Sequence, residues 1–120
     1  MNPQDTEAIA VLWLEAFNNH NLEQLLSLYH EEALHYSPKL KIKHPETEGY
    51  IQGKAALREW WAVAFKTLPS LQYKIIKFTA NADRVFMEYI RCVDNEPDMK
   101  IAEVLEVQNN TIIASRVYHG

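Results

Sequence analysis

Arg84-Val-Phe-Met-Glu-Tyr-Ile-Arg-Cys-Val93 is the stretch whose reading decides the fold. Its two-residue alternation is that of a strand with two distinct faces. Val85, Met87, Tyr89, Arg91 and Val93 share one face, and Phe86, Ile90 and Cys92 share the other. The runs Met99–Val107 and Thr111–His119 follow, and Leu71–Thr79 precedes. The connectors at 80–83, 94–98 and 108–110 are rich in Asn, Asp and Pro, the chemistry of turns. Short links between successive strands predict an antiparallel meander. If Glu103 faces inward with Ile101, Leu105 and Val107, pairing across the 94–98 turn sets it opposite Tyr89 or Arg91. The last strand then adds Ser115, Val117 and His119 to that face.

Upstream the period changes from two to about 3.6. Ile9, Leu12, Trp13, Ala16 and Phe17 mark a helix over 4–19, with Asn2 as its cap and Pro3 in its first turn. Asn21 caps a second helix, whose buried stripe is Leu22, Leu25, Leu26 and Tyr29. Ala33–Ser37 reads as a short strand ended by Pro38. Residues 38–52 read as a long loop with one short strand near Tyr50–Gln52, at the rim of a pocket. Ala55–Leu68 is a third helix, with Leu57, Trp60, Trp61, Ala64, Phe65 and Leu68 on its apolar stripe and Pro69 as its stop. Three helices followed by strands predict an α+β cone: N-terminal helices on a curved, mostly antiparallel sheet, closing around a pocket.

Composition bounds what such a chain does. At 120 residues it is read as one domain, 1–120, and 48% apolar residues suit a folded core. The net charge of −4 and the lack of a dense cationic run argue against nucleic acid. Lys39, Lys41 and Lys43 read as a solvated loop edge. No apolar run reaches the roughly 20 residues that span a bilayer. The first residues lack a signal peptide's pattern, and one cysteine, Cys92, forms no internal disulfide, so a cytoplasmic location is expected. No metal is expected. His30 and His35 are five apart, which loses a shared helical face, and His44, Glu46 and Glu48 read as solvated loop residues. No phosphate-binding glycine loop is present among the three glycines, and no cofactor is expected.

Three segments carry a resemblance that covers essentially the whole sequence: Ala16–Leu22 leading into Leu25–Tyr29, Gly53–Trp61, and the closing Ile112–Gly120. In these the chain resembles the nuclear-transport-factor-2-like superfamily, in its SnoaL-like branch. The resemblance implies a cystatin-like, cone-shaped roll and relatives that include ketosteroid isomerase, polyketide cyclase and limonene epoxide hydrolase. It leaves function open, because the fold hosts many chemistries. Ketosteroid isomerase's catalytic tyrosine falls on Trp13, its general-base aspartate on Ser37 before Pro38, and its second aspartate on Glu103. A serine hydroxyl is no unaided base near neutral pH, so isomerisation by that mechanism is not expected. Of the epoxide hydrolase's Asp–Arg–Asp set, only Arg91 and Glu103 have counterparts.

The candidate site is a carboxylate, Glu103, in an aromatic pocket, with Arg91, Tyr89 and His35 as orienting groups. Trp13, Phe17, Trp60 and Trp61 supply its helical wall, Ser37 its mouth, and Met87, Leu105, Ser115, Val117 and His119 its sheet side. The competing interpretation is an Arg–Glu pair on a solvent-facing sheet surface. Three functions stay open: a cofactor-independent isomerase, cyclase or hydratase acting on a small apolar or polyketide-like molecule, a binding module with no turnover, and an interaction domain. A homodimer is expected through the outer sheet face, whose expected members are Phe86, Ile90, Cys92, Ala102, Val104, Ile112, Ala114 and Tyr118.

Overall fold

The computed structural model describes residues 2–119, so Gly120 of the closing motif lies outside the described residues. Helix α1 (Pro3–Asn18) opens on a capping box. Asn2 Oδ1 accepts from the Asp5 backbone N–H at 2.9 Å and the Asp5 carboxylate accepts from the Asn2 N–H at 3.3 Å. Its buried face is Thr6, Ile9, Ala10, Trp13, Ala16 and Phe17. A one-turn helix α2 (Leu22–Ser27), capped by Asn21, leads directly into strand β1 (Tyr29–Tyr36).

Ser37 and Pro38 do more than end that strand. Ser37 Oγ accepts from the Lys39 N–H at 3.2 Å, and Pro38 takes the first helical position of α3 (Pro38–Lys43). A 3₁₀ turn (Pro45–Thr47) and strand β2 (Tyr50–Gln52) follow. The expected loop at 38–52 is therefore mostly structured, with its short strand where the sequence placed it. Gly49 joins the two pieces at φ +92°, where an added Cβ would stand 2.6 Å from the Tyr36 ring, so only glycine fits. Helix α4 (Lys54–Thr67) buries Leu57 and Trp61, and the chain finishes as β3 (Gln72–Ala80), β4 (Arg84–Cys92), β5 (Met99–Gln108) and β6 (Thr111–His119).

The strands form one sheet in the order β2-β1-β6-β5-β4-β3, with β1 parallel to β6 and every other pair antiparallel. The helices cover its concave face, and the core lies between: Trp13 and Phe17 from α1, Leu25 from α2, Trp61 from α4, and Val85, Met87, Tyr89, Ile101 and Leu105 from the sheet. Each fully buried side chain of this kind contributes roughly 1.5–3 kcal/mol. One edge strand, β3, is clamped by a side chain: Asn18 Nδ2 donates to the Tyr73 carbonyl at 2.9 Å and Asn18 Oδ1 accepts from the Tyr73 N–H at 2.7 Å. Among the described residues no helix is long and apolar enough to cross a membrane.

Three expectations need correction. Tyr29 belongs to β1, not to α2, although it is buried as expected. Glu103 lies opposite Met87, while Tyr89 pairs with Ile101 and Arg91 with Met99. The turn is centred one residue earlier than read, on Asn95 at φ +67°, and the Glu96 N–H donates to the Val93 carbonyl. A slip of two residues preserves faces, so the inward set is unchanged. The register irregularity between Glu106 and Val107 also alters the outer face: Ile112 pairs with Val107 and joins the core, while Ala114, opposite Glu106, keeps the expected face but is buried.

Candidate functional site

A cavity of about 80 Å³ opens between α1, α4 and the sheet. Phe17, Trp60, Trp61, Leu68, Tyr73 and Ile101 make its apolar walls, and Glu103, Tyr89, His35, Ser37, Arg91, Lys39 and His119 supply its polar groups. At roughly 10–15 Å³ per water-sized sphere it admits a small molecule of about one ring.

Glu103 is buried, 2% exposed, on the inward face of β5. The Tyr89 hydroxyl donates to Glu103 Oε1 at 2.7 Å. Burial drives the Glu103 carboxyl up to about 8, against the downward pull of that bond. The proton then belongs on Oε2, which takes no bond from the described residues and is not sealed off, so it opens on the cavity. Tyr89 itself is held far above the ordinary phenol range, first by burial and then by the neighbouring Glu103. Tyr73 packs on Tyr89 with ring centroids 4.3 Å apart and is raised for the same reasons.

His35 ends a second buried network. Trp13 Nε1–H donates to the Tyr29 hydroxyl at 3.2 Å, which donates to Ser115 Oγ at 3.0 Å, and Ser115 Oγ lies 2.7 Å from His35 Nδ1. Indole is only a donor, so the direction of the chain is fixed from that end. Ser115 thus ties His35 Nδ1 into the network, and the ring also lines the cavity. Burial pushes the imidazole down to about 4, against a hydrogen bond to the Ser115 backbone, so it is neutral near pH 7.

Ser37 lies at the cavity but caps α3. Phe17, Trp60, Trp61, Val117 and His119 line the cavity. Trp13, Met87, Leu105 and Ser115 do not: they are 0% exposed and lie in the core beneath it, with Trp13 and Ser115 acting through the network to His35. Arg91 does not orient Glu103. Its Nη1 donates to Glu96 Oε1 at 2.8 Å, because the earlier turn swings Glu96 back over the cavity mouth. Lys39, Tyr73 and Leu68 at the cavity were not among the expected site residues. Lys39 was missed because Ser37-Pro38 was read as a strand stop and not as a helix cap. Among the described residues no group of three or more His, Cys, Asp or Glu could hold a metal ion.

The model of the SnoaL-like domain matches residues 10–115. The chain belongs to the SnoaL-like domain family. Solved structures agree on the fold. A SnoaL-like protein of unknown function from Burkholderia thailandensis superposes with a TM-score of 0.87 at 21% identity, over 98% of this chain and 95% of that one. A provisionally named polyketide cyclase from Sinorhizobium meliloti superposes at 0.79 with 14% identity, over 96% and 97%. A provisionally named ketosteroid isomerase from Kribbella flavida gives 0.80 with 16% identity, over 98% and 79%. No curated protein matches the chain. At these identities the shared property is the SnoaL-like, nuclear-transport-factor-2-like fold.

Proposed function

We propose that this SnoaL-like domain is a cofactor-independent isomerase, cyclase or hydratase, with Glu103 as its acid and base and a small, mostly apolar carbonyl or hydroxyl compound as its substrate. The observation that carries this reading is the buried Glu103 carboxyl with Tyr89 on one oxygen and the cavity on the other. At about 8, the group has both protonation states within reach near neutral pH, which suits proton donation and return. Ionised, Oε2 takes the α-proton as the substrate carbonyl becomes an enolate, and the protonated carboxyl then returns that proton to carbon, so each turnover leaves Glu103 as it began. The Tyr89 bond steadies the carboxylate while it is ionised, and the His35 ring borders the same space. A binding module without turnover is the second reading, favoured by His35, which is too weak a base to help near pH 7.

Deuterium exchange at the α-carbon of small ketones in D₂O, followed by NMR, separates the two. Exchange above buffer that falls about 10²-fold in Glu103→Gln is expected. Exchange unchanged in that variant removes Glu103 from the chemistry, and binding without exchange leaves the second reading.

We also propose that the outer sheet face joins two copies of the chain. Ile76, Phe86 and Tyr118 are 53%, 40% and 47% exposed there around a hollow of about 210 Å³. Glu106 lies beside them, paired with Arg84 at 2.8 Å and Arg116 at 2.7 Å. Sedimentation should return twice 14.0 kDa, and Phe86→Glu should return the single-chain mass. A single-chain mass for wild type at micromolar concentration rejects the dimer.

A further inference from the structure

We propose that the cavity's ligand carries a carboxylate, which docks at the mouth on Arg91 and Lys39 in the place Glu96 now holds. This rests on the reading above only in taking the cavity as a ligand site, and does not depend on turnover.

The mouth is shared by two hollows. Lys39, Leu68 and Arg91 line both the inner cavity and an outer groove of about 250 Å³, to which Ile42, Lys43 and Glu96 also belong. Three cations, Lys39, Lys43 and Arg91, thus stand against the single carboxylate of Glu96. Lys43 is partly occupied, lying 5.8 Å from the centre of the Trp60 ring. Lys39 is lowered by burial and then by Arg91, and His119 by burial and then by Lys39 and Arg91, so the local field is positive.

Arg91 is the built element of this site. Its side chain is 6% exposed, a burial that a guanidinium tolerates only with an anionic or hydrogen-bonding partner. Among the described residues the side-chain partner is Glu96, through Nη1 alone. Guanidinium has five donors in a planar fork, and a carboxylate that meets it side-on takes two of them. Glu96 is a replaceable occupant: it is 42% exposed and rides on the 93–96 turn. The group already accepted at the mouth is therefore a carboxylate.

Position sets the rest of the ligand. Arg91 and Tyr89 are two residues apart on the same face of β4, about 6.6 Å along the strand. A molecule whose carboxylate meets Arg91 reaches the Tyr89–Glu103 pair through a spacer of about that length, between the apolar walls of Trp60, Trp61 and Phe17. An aryl or short-chain oxo acid has this shape, whereas a wholly apolar molecule leaves the cations unmatched.

Titration calorimetry with benzoate, 3-phenylpropionate, 3-benzoylpropionate and 4-benzoylbutyrate, each against its primary amide, tests this. The best acid should bind wild type at least about tenfold more tightly than its amide. Lys39→Gln should weaken that acid several-fold and leave the amide unchanged, and Glu96→Gln should tighten the acid by leaving on Arg91 a neutral occupant that a carboxylate displaces more easily. Both substitutions are at partly or fully accessible positions, and circular dichroism confirms the fold. Equal binding of acid and amide, indifference of the acid to both substitutions, or no acid bound more tightly than about 10 mM overturns the proposal. Acid-selective binding without deuterium exchange upholds this inference while removing the enzymatic reading. Exchange in neutral ketones with no acid preference does the reverse.

Discussion

The two ends of the cavity solve the problem of buried polarity in opposite ways. At the inner end, Tyr89, Glu103, His35, Ser115, Tyr29 and Trp13 are joined by neutral hydrogen bonds, and each titratable group among them is shifted toward its uncharged form. At the mouth stand the cationic side chains of Arg91 and Lys39, with Glu96 on an accessible turn paired to Arg91. Desolvation explains the contrast: far from water a proton is cheaper to hold than a charge, while near water a charge needs only one partner. The inner end is thus suited to moving protons and the mouth to sorting molecules by charge.

The largest effect expected of this division is at Ser115. Ser115→Ala removes both the acceptor of the Tyr29 hydroxyl and the partner of His35 Nδ1, at a cost of about 3 kcal/mol. Denaturant unfolding measures the loss, and the ¹⁵N NMR signal of His35 Nδ1 should shift as its hydroxyl partner is removed. A change under about 0.5 kcal/mol breaks the picture of a satisfied inner network.

Next comes the pH dependence of stability. Glu103 is held up at about 8, so above its unfolded value of about 4.3 the folded state binds the extra proton and stability falls as pH rises. His35 is held down at about 4, so below its unfolded value of about 6.5 the unfolded state binds the extra proton and stability falls as pH drops. The two slopes cancel between about 4.5 and 6.5, and Glu103 alone remains above, with a loss of about 2 kcal/mol by pH 8. Unfolding free energies at pH 6 and 8 should show this loss in wild type and not in Glu103→Gln. No loss in wild type places an ionised carboxylate at the inner end and erases the contrast.

Smaller still is the effect at the mouth, where Glu96→Gln should change stability by less than about 1 kcal/mol, because the amide still accepts from Arg91 and water reaches the pair. A larger loss in the same unfolding assay makes Glu96 a structural member and not a replaceable one. The smallest effect is none: conversion of a standard unsaturated ketosteroid should stay at background, since Ser37 is committed to the cap of α3. Robust turnover would place a base where none is described.

The sequence carried the α+β cone, the four meander strands and their inward faces because alternation reports burial directly: Val85, Met87, Tyr89 and Arg91 are all buried. Register was less legible. Pairing depends on where the 94–98 connector turns, and the left-handed Asn95 shifts its centre by one residue and each partner by two. The same cause hid the partner of Arg91, because only the earlier turn brings Glu96 back over it. The face of Ile112 was misread because a bulge leaves no trace in a short alternating run. Helix α3 was missed because six residues are too few for a helical period, and Ser37-Pro38 signals a strand stop as readily as a helix start. The Trp13–Tyr29–Ser115–His35 network was out of reach, because its members come from three elements far apart in the chain.

That network links partners far apart in the chain: His35 and Ser115 are 80 residues apart, and Tyr29 and Ser115 are 86 apart. Strand β1 cannot take its parallel place until β6 exists, so a growing polypeptide has nearly the whole domain to hold in readiness before the inner end can close. Until then His35 has an unmatched nitrogen and β1 has no neighbour but the three residues of β2. The order of synthesis makes the polar floor of the cavity the last thing assembled, and a chain stopped short of Ser115 would carry Tyr89 and Glu103 without it.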